Sequence, residues 1–260
     1  MTKLVGILGA NYCGSTVMDM VMNTHPDMVG VGELNLVTEG SFNPKNAVSK
    51  IGCEICHYSG NTCPILPKEG FPYQMATVHR EIAERAGVGW VVDSSKAARV
   101  YRKYEKSNSA DGYWYLVLIK TPEAAAASYV KHYTPPHPEW APDFKGSPTG
   151  DGIAKTWCNH YKQILDFVKG RRYIVIKYEN FAEDPKSTLT RVSEFLGVRD
   201  AFDISGYGDV KYGHHRIAGN YAAKTSRKPV QKLNWERHRA DMSSKAWGQM
   251  REMYQRVTDG

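Results

Sequence analysis

The chain has 260 residues, 42% of them hydrophobic and 23% charged, the balance of a folded globular protein and not of a disordered one. Lys and Arg number 34 against 27 Asp and Glu, a formal charge of +7, which suits nucleic acid and small phosphate-rich ligands equally well. No apolar run approaches the roughly 18 residues of a membrane span, and an odd count of 5 cysteines reads as thiols in a reducing cytoplasm, not as a disulfide framework.

In chain order, Leu4–Leu8 is a short apolar run that reads as a first buried strand; no small-residue cleavage site follows it, so it is not taken as a signal peptide. Gly9 to Thr16 then leads into a helical pattern of Val17, Met20 and Val21. Residues 35–75 are irregular and carry Cys53, Cys56 and Cys63. Gly89–Val92 reads as a second strand, with Asp93, Ser94 and Ser95 as candidate N-caps of a basic helix over Lys96–Lys106. Tyr113–Ile119 is a third strand, and Thr121-Pro122-Glu123 supplies a cap, a first-position proline and a first-turn acid to the next helix. Pro135, Pro136, Pro138, Pro142 and Pro148 exclude a helix or central strand across 132–150. Tyr173–Lys177 is a fourth strand; Asp184-Pro185 opens a helix with Leu189, Val192, Phe195 and Leu196 on one face, and Gly197 ends it. This alternation predicts an α/β fold: one domain over 1–260, a central parallel sheet flanked by helices, with irregular inserts at about 35–75 and 132–150 and a Gly-rich basic loop over 205–232. Long loops in such a domain are expected to bind or cover a ligand.

Gly9-x4-Gly14-Ser15-Thr16 has the spacing of a phosphate loop, with Ser15 where a lysine belongs. A glycine turn opening a helix aims backbone N–H groups and a partial positive charge at an anion. The missing lysine removes the charge that ATP and GTP enzymes place on the β- and γ-phosphates. A plain strand-to-helix turn has the same outline, so the loop alone leaves both readings open.

Five segments together carry a resemblance. Tyr12-Cys13-Gly14-Ser15-Thr16, Asp93-Ser94-Ser95-Lys96, Lys120-Thr121-Pro122-Glu123 through Ser128, Tyr178-Glu179-Asn180-Phe181 through Phe195-Leu196-Gly197, and Gly219-Asn220 followed by basic residues come in the order found in sulfotransferases that use 3′-phosphoadenosine 5′-phosphosulfate (PAPS). The chain resembles that family, chiefly its bacterial members, and Glu33 follows the first helix much as the catalytic glutamate does in tyrosylprotein sulfotransferases. The resemblance implies a cytoplasmic enzyme with a P-loop-like 5′-phosphosulfate loop. It would transfer a sulfonate from PAPS to a hydroxyl or amine of a small-molecule acceptor, with no metal, nucleic acid or membrane required. It implies donor contacts at Tyr12, Cys13, Gly14, Ser15 and Thr16, 3′-phosphate contacts at Lys120 and Ser128, adenine contact at Tyr178, and a closing loop with Lys224, Arg227 and Lys228. Glu33 is the expected base and Lys96 the cation on the sulfonate.

Two departures stand out. Tyr12 replaces a basic loop residue, and a phenol donates one hydrogen bond without positive charge. Lys120 replaces an arginine, keeping the charge and losing the two-pronged fork; as a strand-end lysine it is expected to be exposed. Competing readings remain at each position: Glu33 as a loop ion pair, Lys96 as a solvated lysine beside Arg99, Arg102, Lys103 and Lys106, Tyr178 as a core aromatic. His79, His132, His137, His214 and His215 are alternative bases, each more simply a surface or loop histidine. Cys53-x2-Cys56 with Cys63 and His57 suggests zinc but lacks a second, well-separated ligand pair. Cys158, beside Trp157, reads as a core helix residue. A P-loop kinase or NTPase, or a non-catalytic adenosine-nucleotide-binding protein, is the alternative class.

Overall fold

The computed structural model describes residues 1–39, 63–66, 74–133, 150–207, 215, 217 and 240–260. β1 (Lys3–Leu8) alternates strictly: Leu4 and Leu8 enter one apolar cluster, Val5 and Ile7 the other. The same alternation runs through β3 (Trp90–Lys96), β4 (Gly112–Ile119) and β5 (Tyr173–Lys177), so the sheet is buried on both faces, as parallel sheets require. With the short β2 (Met28–Gly30) the order is β2-β3-β1-β4-β5, and every pairing is parallel.

One face is covered by α1 (Ser15–Met22), α7 (Tyr178–Glu183) and α8 (Pro185–Leu196) through Met18, Val21, Phe181, Leu189 and Val192. The other carries α3 (Val78–Ala86), α4 (Ala98–Lys106), α5 (Pro122–Tyr133), α6 (Asp151–Val168) and α9 (Ser244–Thr258). A one-turn α2 (Asn35–Thr38) follows β2. The expected capping of α8 is present: the Asp184 carboxylate accepts from Ser187 N–H, Pro185 opens the helix, and Gly197 closes it at φ 67°. Among the described residues no helix is long and apolar enough to cross a membrane.

Around β2, β3 and α3 the fold departs from the sequence expectation. Asp93, Ser94 and Ser95 are not helix caps. They continue β3, with Asp93 paired to Gly6 and Lys96 to Leu8, and the helix starts only at Ala98. The Asp93 carboxylate accepts from the Ser95 N–H and hydroxyl, leaving nothing to cap α4. β2 was missed because three residues are too few to show alternation. His79 is no surface histidine: it is fully buried on α3, its Nε2 3.4 Å from Asp93 Oδ2.

Candidate active site

From β1 the chain runs toward β2 on one side of the sheet, while β4 runs on to β5 on the other. The connections after these two adjacent strands therefore diverge and open a crevice at their carboxyl ends, where open α/β sheets bind ligands. The glycine loop follows β1, Lys120 follows β4, Lys96 ends β3, Glu33 comes shortly after β2, and Tyr178 comes directly after β5. All but three of the expected site residues lie at this one edge; Lys224, Arg227 and Lys228 lie outside the described residues.

The loop is tightly shaped. Gly9 N–H donates to the Lys96 carbonyl (3.3 Å), and a Cβ at Gly9 would stand 2.6 Å from Cys13 Sγ and 2.8 Å from the Leu118 oxygen. Tyr12 and Gly14 both take positive φ, 64° and 100°. At Gly14 a Cβ would also fall 2.3 Å from the Tyr178 ring, so this position needs glycine twice over. Gly14 caps α1 without a side-chain hydrogen bond, and no acid occupies the first turn, which keeps the helix end attractive to an anion beside Ser15 and Thr16. Cys13 packs into the loop and its N–H donates to the Ala10 carbonyl (3.2 Å). Burial pushes its thiol pKa up, while Lys96 and Lys120 pull it down. Both ammonium groups thus sit near the loop. Ala10 N–H donates to the Tyr161 hydroxyl (3.4 Å), which donates to the Leu118 carbonyl (2.6 Å) and so ties the loop to β4.

Lys96 ends β3 at φ 65°, a left-handed conformation that costs a non-glycine residue about 1–3 kcal/mol. The turn delivers its ammonium to Glu33, and the two side chains form a half-buried ion pair. The two residues expected to do the chemistry are therefore in direct contact. Glu33 is held from behind, its N–H donating to the Ile217 carbonyl (2.7 Å). Arg99 and Lys103, expected on a solvated face, keep more than half of their side chains exposed and both pair with Glu39 at 2.6 Å.

Lys120 is not the exposed lysine the sequence suggested. It is 9% exposed, packed with Nζ 4.5 Å from the Tyr178 ring centroid and 3.4 Å from the Ser128 hydroxyl. The turn at Thr121-Pro122 folds it back onto α5, where it meets Ser128. Burial lowers its pKa, with Cys13 and Glu179 opposing that shift. Glu179 fixes the turn by accepting from the Thr121 N–H (3.0 Å) and hydroxyl (3.2 Å). Tyr178 is the first residue of α7 and not the last of β5; burial pushes its pKa up to about 12, so it remains a phenol.

Two histidines lie at this edge, and the sequence singled out only one of them. His132 on α5 was expected as an alternative base, or more simply as a loop residue. Its ring in fact stacks on Tyr12, centroids 4.1 Å apart and planes within 4°, and burial followed by Lys131 and Lys120 lowers its pKa. His160 on α6 lies against the Lys96 and Gly9 backbone; burial is the main cause of its lowered pKa, and its Nε2 has no hydrogen-bond partner among the described residues. Helical periodicity across 151–168 would have placed His160 beside the core residues Trp157 and Tyr161, but not at the loop. Trp157 is core as expected, whereas Cys158 is only half-buried. Cys53, Cys56, His57, His137 and His214 lie outside the described residues.

A glycine loop on a parallel sheet, an acid–cation pair and a buried lysine–serine pair thus meet at one crevice. The chain belongs to the sulfotransferase domain family, whose model matches residues 105–250, and its reaction is sulfonate transfer. That match includes Lys120, Ser128 and Tyr178 but not the glycine loop, Glu33 or Lys96. The fold is similar to the sulfotransferase domain of the Synechococcus PCC 7002 olefin synthase (18% identity, 97% of this chain and 94% of that one, TM-score 0.63). It is also similar to the sulfotransferase domain of the curacin biosynthetic pathway (15%, 99% and 98%, TM-score 0.58). The mouse sulfotransferase SULT7A1 complexed with PAP is a more distant likeness (10%, 98% and 84%, TM-score 0.51). No curated protein matches the chain.

Proposed function

We propose that the sulfonate donor is PAPS and the acceptor a hydroxyl or amine of a small molecule, with Glu33 as general base and Lys96 as the cation on the moving sulfonate. The observation that carries this reading is the Glu33–Lys96 pair at the mouth of the glycine loop. Its carboxylate can accept the acceptor proton as the acceptor oxygen or nitrogen bonds to sulfur and the sulfur–oxygen bond to the 5′-phosphate breaks. Its ammonium, released by that protonation, is free to neutralise charge on the sulfonate and the departing phosphate oxygen. In this reading Gly14, Ser15 and Thr16 cradle the 5′-phosphosulfate, Tyr12 and Cys13 shape the loop around it, Lys120 and Ser128 hold the 3′-phosphate, and Tyr178 borders the adenine. Lys224 and Arg227 close over the 3′-phosphate, and no metal enters the chemistry.

The donor class is tested by thermal shift without magnesium. 3′,5′-Adenosine bisphosphate at 100 times its dissociation constant should add about 2.7 kcal/mol of stability, and AMP at the same concentration should add much less. Equal stabilisation by the two would remove the 3′-phosphate from the account, and stabilisation by ATP alone would return the chain to a kinase-like class. Lys120→Met keeps the packed stem and deletes the charge. Losing one charge-assisted contact costs roughly 1.5–3 kcal/mol, so bisphosphate affinity should fall about tenfold or more, while the unfolding temperature holds because a buried charge has been removed. Isothermal titration of the folded variant measures this, and unchanged affinity would release Lys120 from the donor site.

A further inference from the structure

We propose that Ser95 is a positioning residue for the transfer step, its buried hydroxyl joining the segment that carries Glu33 to the strand that carries Lys96. The inference rests on the Glu33–Lys96 reading given above and adds the group that sets their spacing. β2 and β3 pair in register, and the ladder runs on past β2: Val31 N–H donates to the Val92 carbonyl (2.9 Å) and Ser94 N–H to the Gly32 carbonyl (2.8 Å). Gly32 and Lys96 both take positive φ, 72° and 65°, and the left-handed turn at each carries its chain off the ladder. Among the described residues no backbone hydrogen bond joins the two segments beyond Gly32 and Ser94. The next link is a side chain, with Ser95 Oγ accepting from the Asn35 N–H at 3.0 Å. Glu33 is thus bracketed by a tie at Gly32 and a tie at Asn35, and the second of them reaches the residue directly before Lys96.

The hydroxyl is itself held in one orientation. A serine hydroxyl has one proton to give and lone pairs with which to accept. The proton goes to Asp93 Oδ1, which also takes the Ser95 N–H at 2.7 Å, and a lone pair is left for the Asn35 N–H. The other Asp93 oxygen faces His79 Nε2 at 3.4 Å. His79 Nδ1 is buried with no hydrogen-bond partner among the described residues, so the ring proton serves best at Nε2, toward the carboxylate. His79, Asp93 and Ser95, all buried, therefore form one file from α3 to the first N–H of α2. Thr38 Oγ1 beside the Tyr104 hydroxyl (3.1 Å) and Glu39 on Arg99 and Lys103 tie the far end of α2 to α4. Those contacts orient the short helix, while Ser95 fixes the end of it next to the catalytic carboxylate. Small slips matter there, since misplacing a reacting group by about 1 Å can cost about 10²-fold in rate.

The test follows sulfonated product from PAPS by mass spectrometry, with an acceptor found by screening, beside isothermal titration of 3′,5′-adenosine bisphosphate. Ser95→Ala should lower kcat about 10–100-fold, with bisphosphate affinity within about twofold of wild type. Ser95→Cys keeps the packing and offers only a weak donor and acceptor. It should lose turnover likewise, and it decides the matter where Ser95→Ala is too unstable to assay. Ser95→Thr, which retains the hydroxyl, should recover most of the loss. Thr38→Val cuts the distant tie, so it should lower the unfolding temperature and leave kcat within about twofold. In a Glu33→Gln background Ser95→Ala should cost little more, because the group through which it acts is already gone. Near wild-type kcat in Ser95→Ala or Ser95→Cys, no recovery in folded Ser95→Thr, an equal loss of kcat in Thr38→Val, or fully additive losses in the double variant would each overturn the proposal. Full turnover in Glu33→Gln would remove the base assignment and this proposal with it. Impaired Glu33→Gln beside unimpaired Ser95→Ala would remove the role of Ser95 and leave the base assignment standing.

Discussion

Turnover of Glu33→Gln should fall by about 10²–10⁴-fold, the usual worth of a general base, with bisphosphate affinity nearly unchanged. The amide keeps the side chain's shape and loses both its proton affinity and its charge partnership with Lys96. Lys96→Ala should also lose turnover, and Tyr12→Lys should be tolerated or activating if loop cation charge is what limits the rate. The assay is mass-spectrometric detection of sulfonated product from PAPS with an acceptor found by screening. Turnover of Glu33→Gln close to wild type would move the base to a histidine. His132 is then the first to replace, because it stacks on Tyr12 with a lowered pKa and so offers a neutral imidazole at the loop.

The second large effect falls on stability. Asp93 is fully buried and takes hydrogen bonds from the Ser95 N–H and hydroxyl on one oxygen, with His79 Nε2 3.4 Å from the other. Asp93→Ala strands these partners where water cannot replace the lost acceptor. Breaking one side of such a buried pair costs about 3–5 kcal/mol, a large share of the roughly 5–15 kcal/mol that holds a domain together. Urea unfolding followed by tryptophan fluorescence should show the loss as a lower midpoint. A change under about 1 kcal/mol would mean the network around Asp93 is re-formed by water. The same carboxylate sets the course of β3 into Lys96, so the residue that stabilises the strand also helps to place the cation.

Much of this arrangement was legible in the residues because the signals were local. The four longer strands announced themselves by apolar runs, the α8 cap by Asp184-Pro185, and the glycine loop by its spacing. What was not legible depended on distance in the chain. Asp93-Ser94-Ser95 has the composition of a helix cap, and only pairing with β1 makes it strand. Lys120 looked exposed because nothing nearby in sequence shows that Tyr178, nearly sixty residues on, will cover it. His132 and His160 sit in helices whose register says which face is buried, but not which loop that face meets. The Glu33–Lys96 contact joins the ends of two strands that become neighbours only in the sheet. The acceptor pocket draws on 35–75 and 132–150 in the sequence reading, the stretches with the least periodicity to interpret.

The central position of β1 has a bearing on how the protein comes into being. Lys3 pairs with Trp90 on one side and with Gly112 on the other, contacts that close loops of about a hundred residues and belong to the slow class of folding events. The glycine loop is synthesised well before the Lys96 carbonyl that Gly9 meets and the Leu118 carbonyl that Tyr161 bonds. Until those segments emerge, β1 is an apolar strand with both edges unpaired, the kind of segment that invites chaperone capture or misassociation. Nucleotide should therefore do little for a chain stalled before β4 and rescue refolding of the full chain only in its final step, when the first strand has been enclosed by the last ones to pair with it.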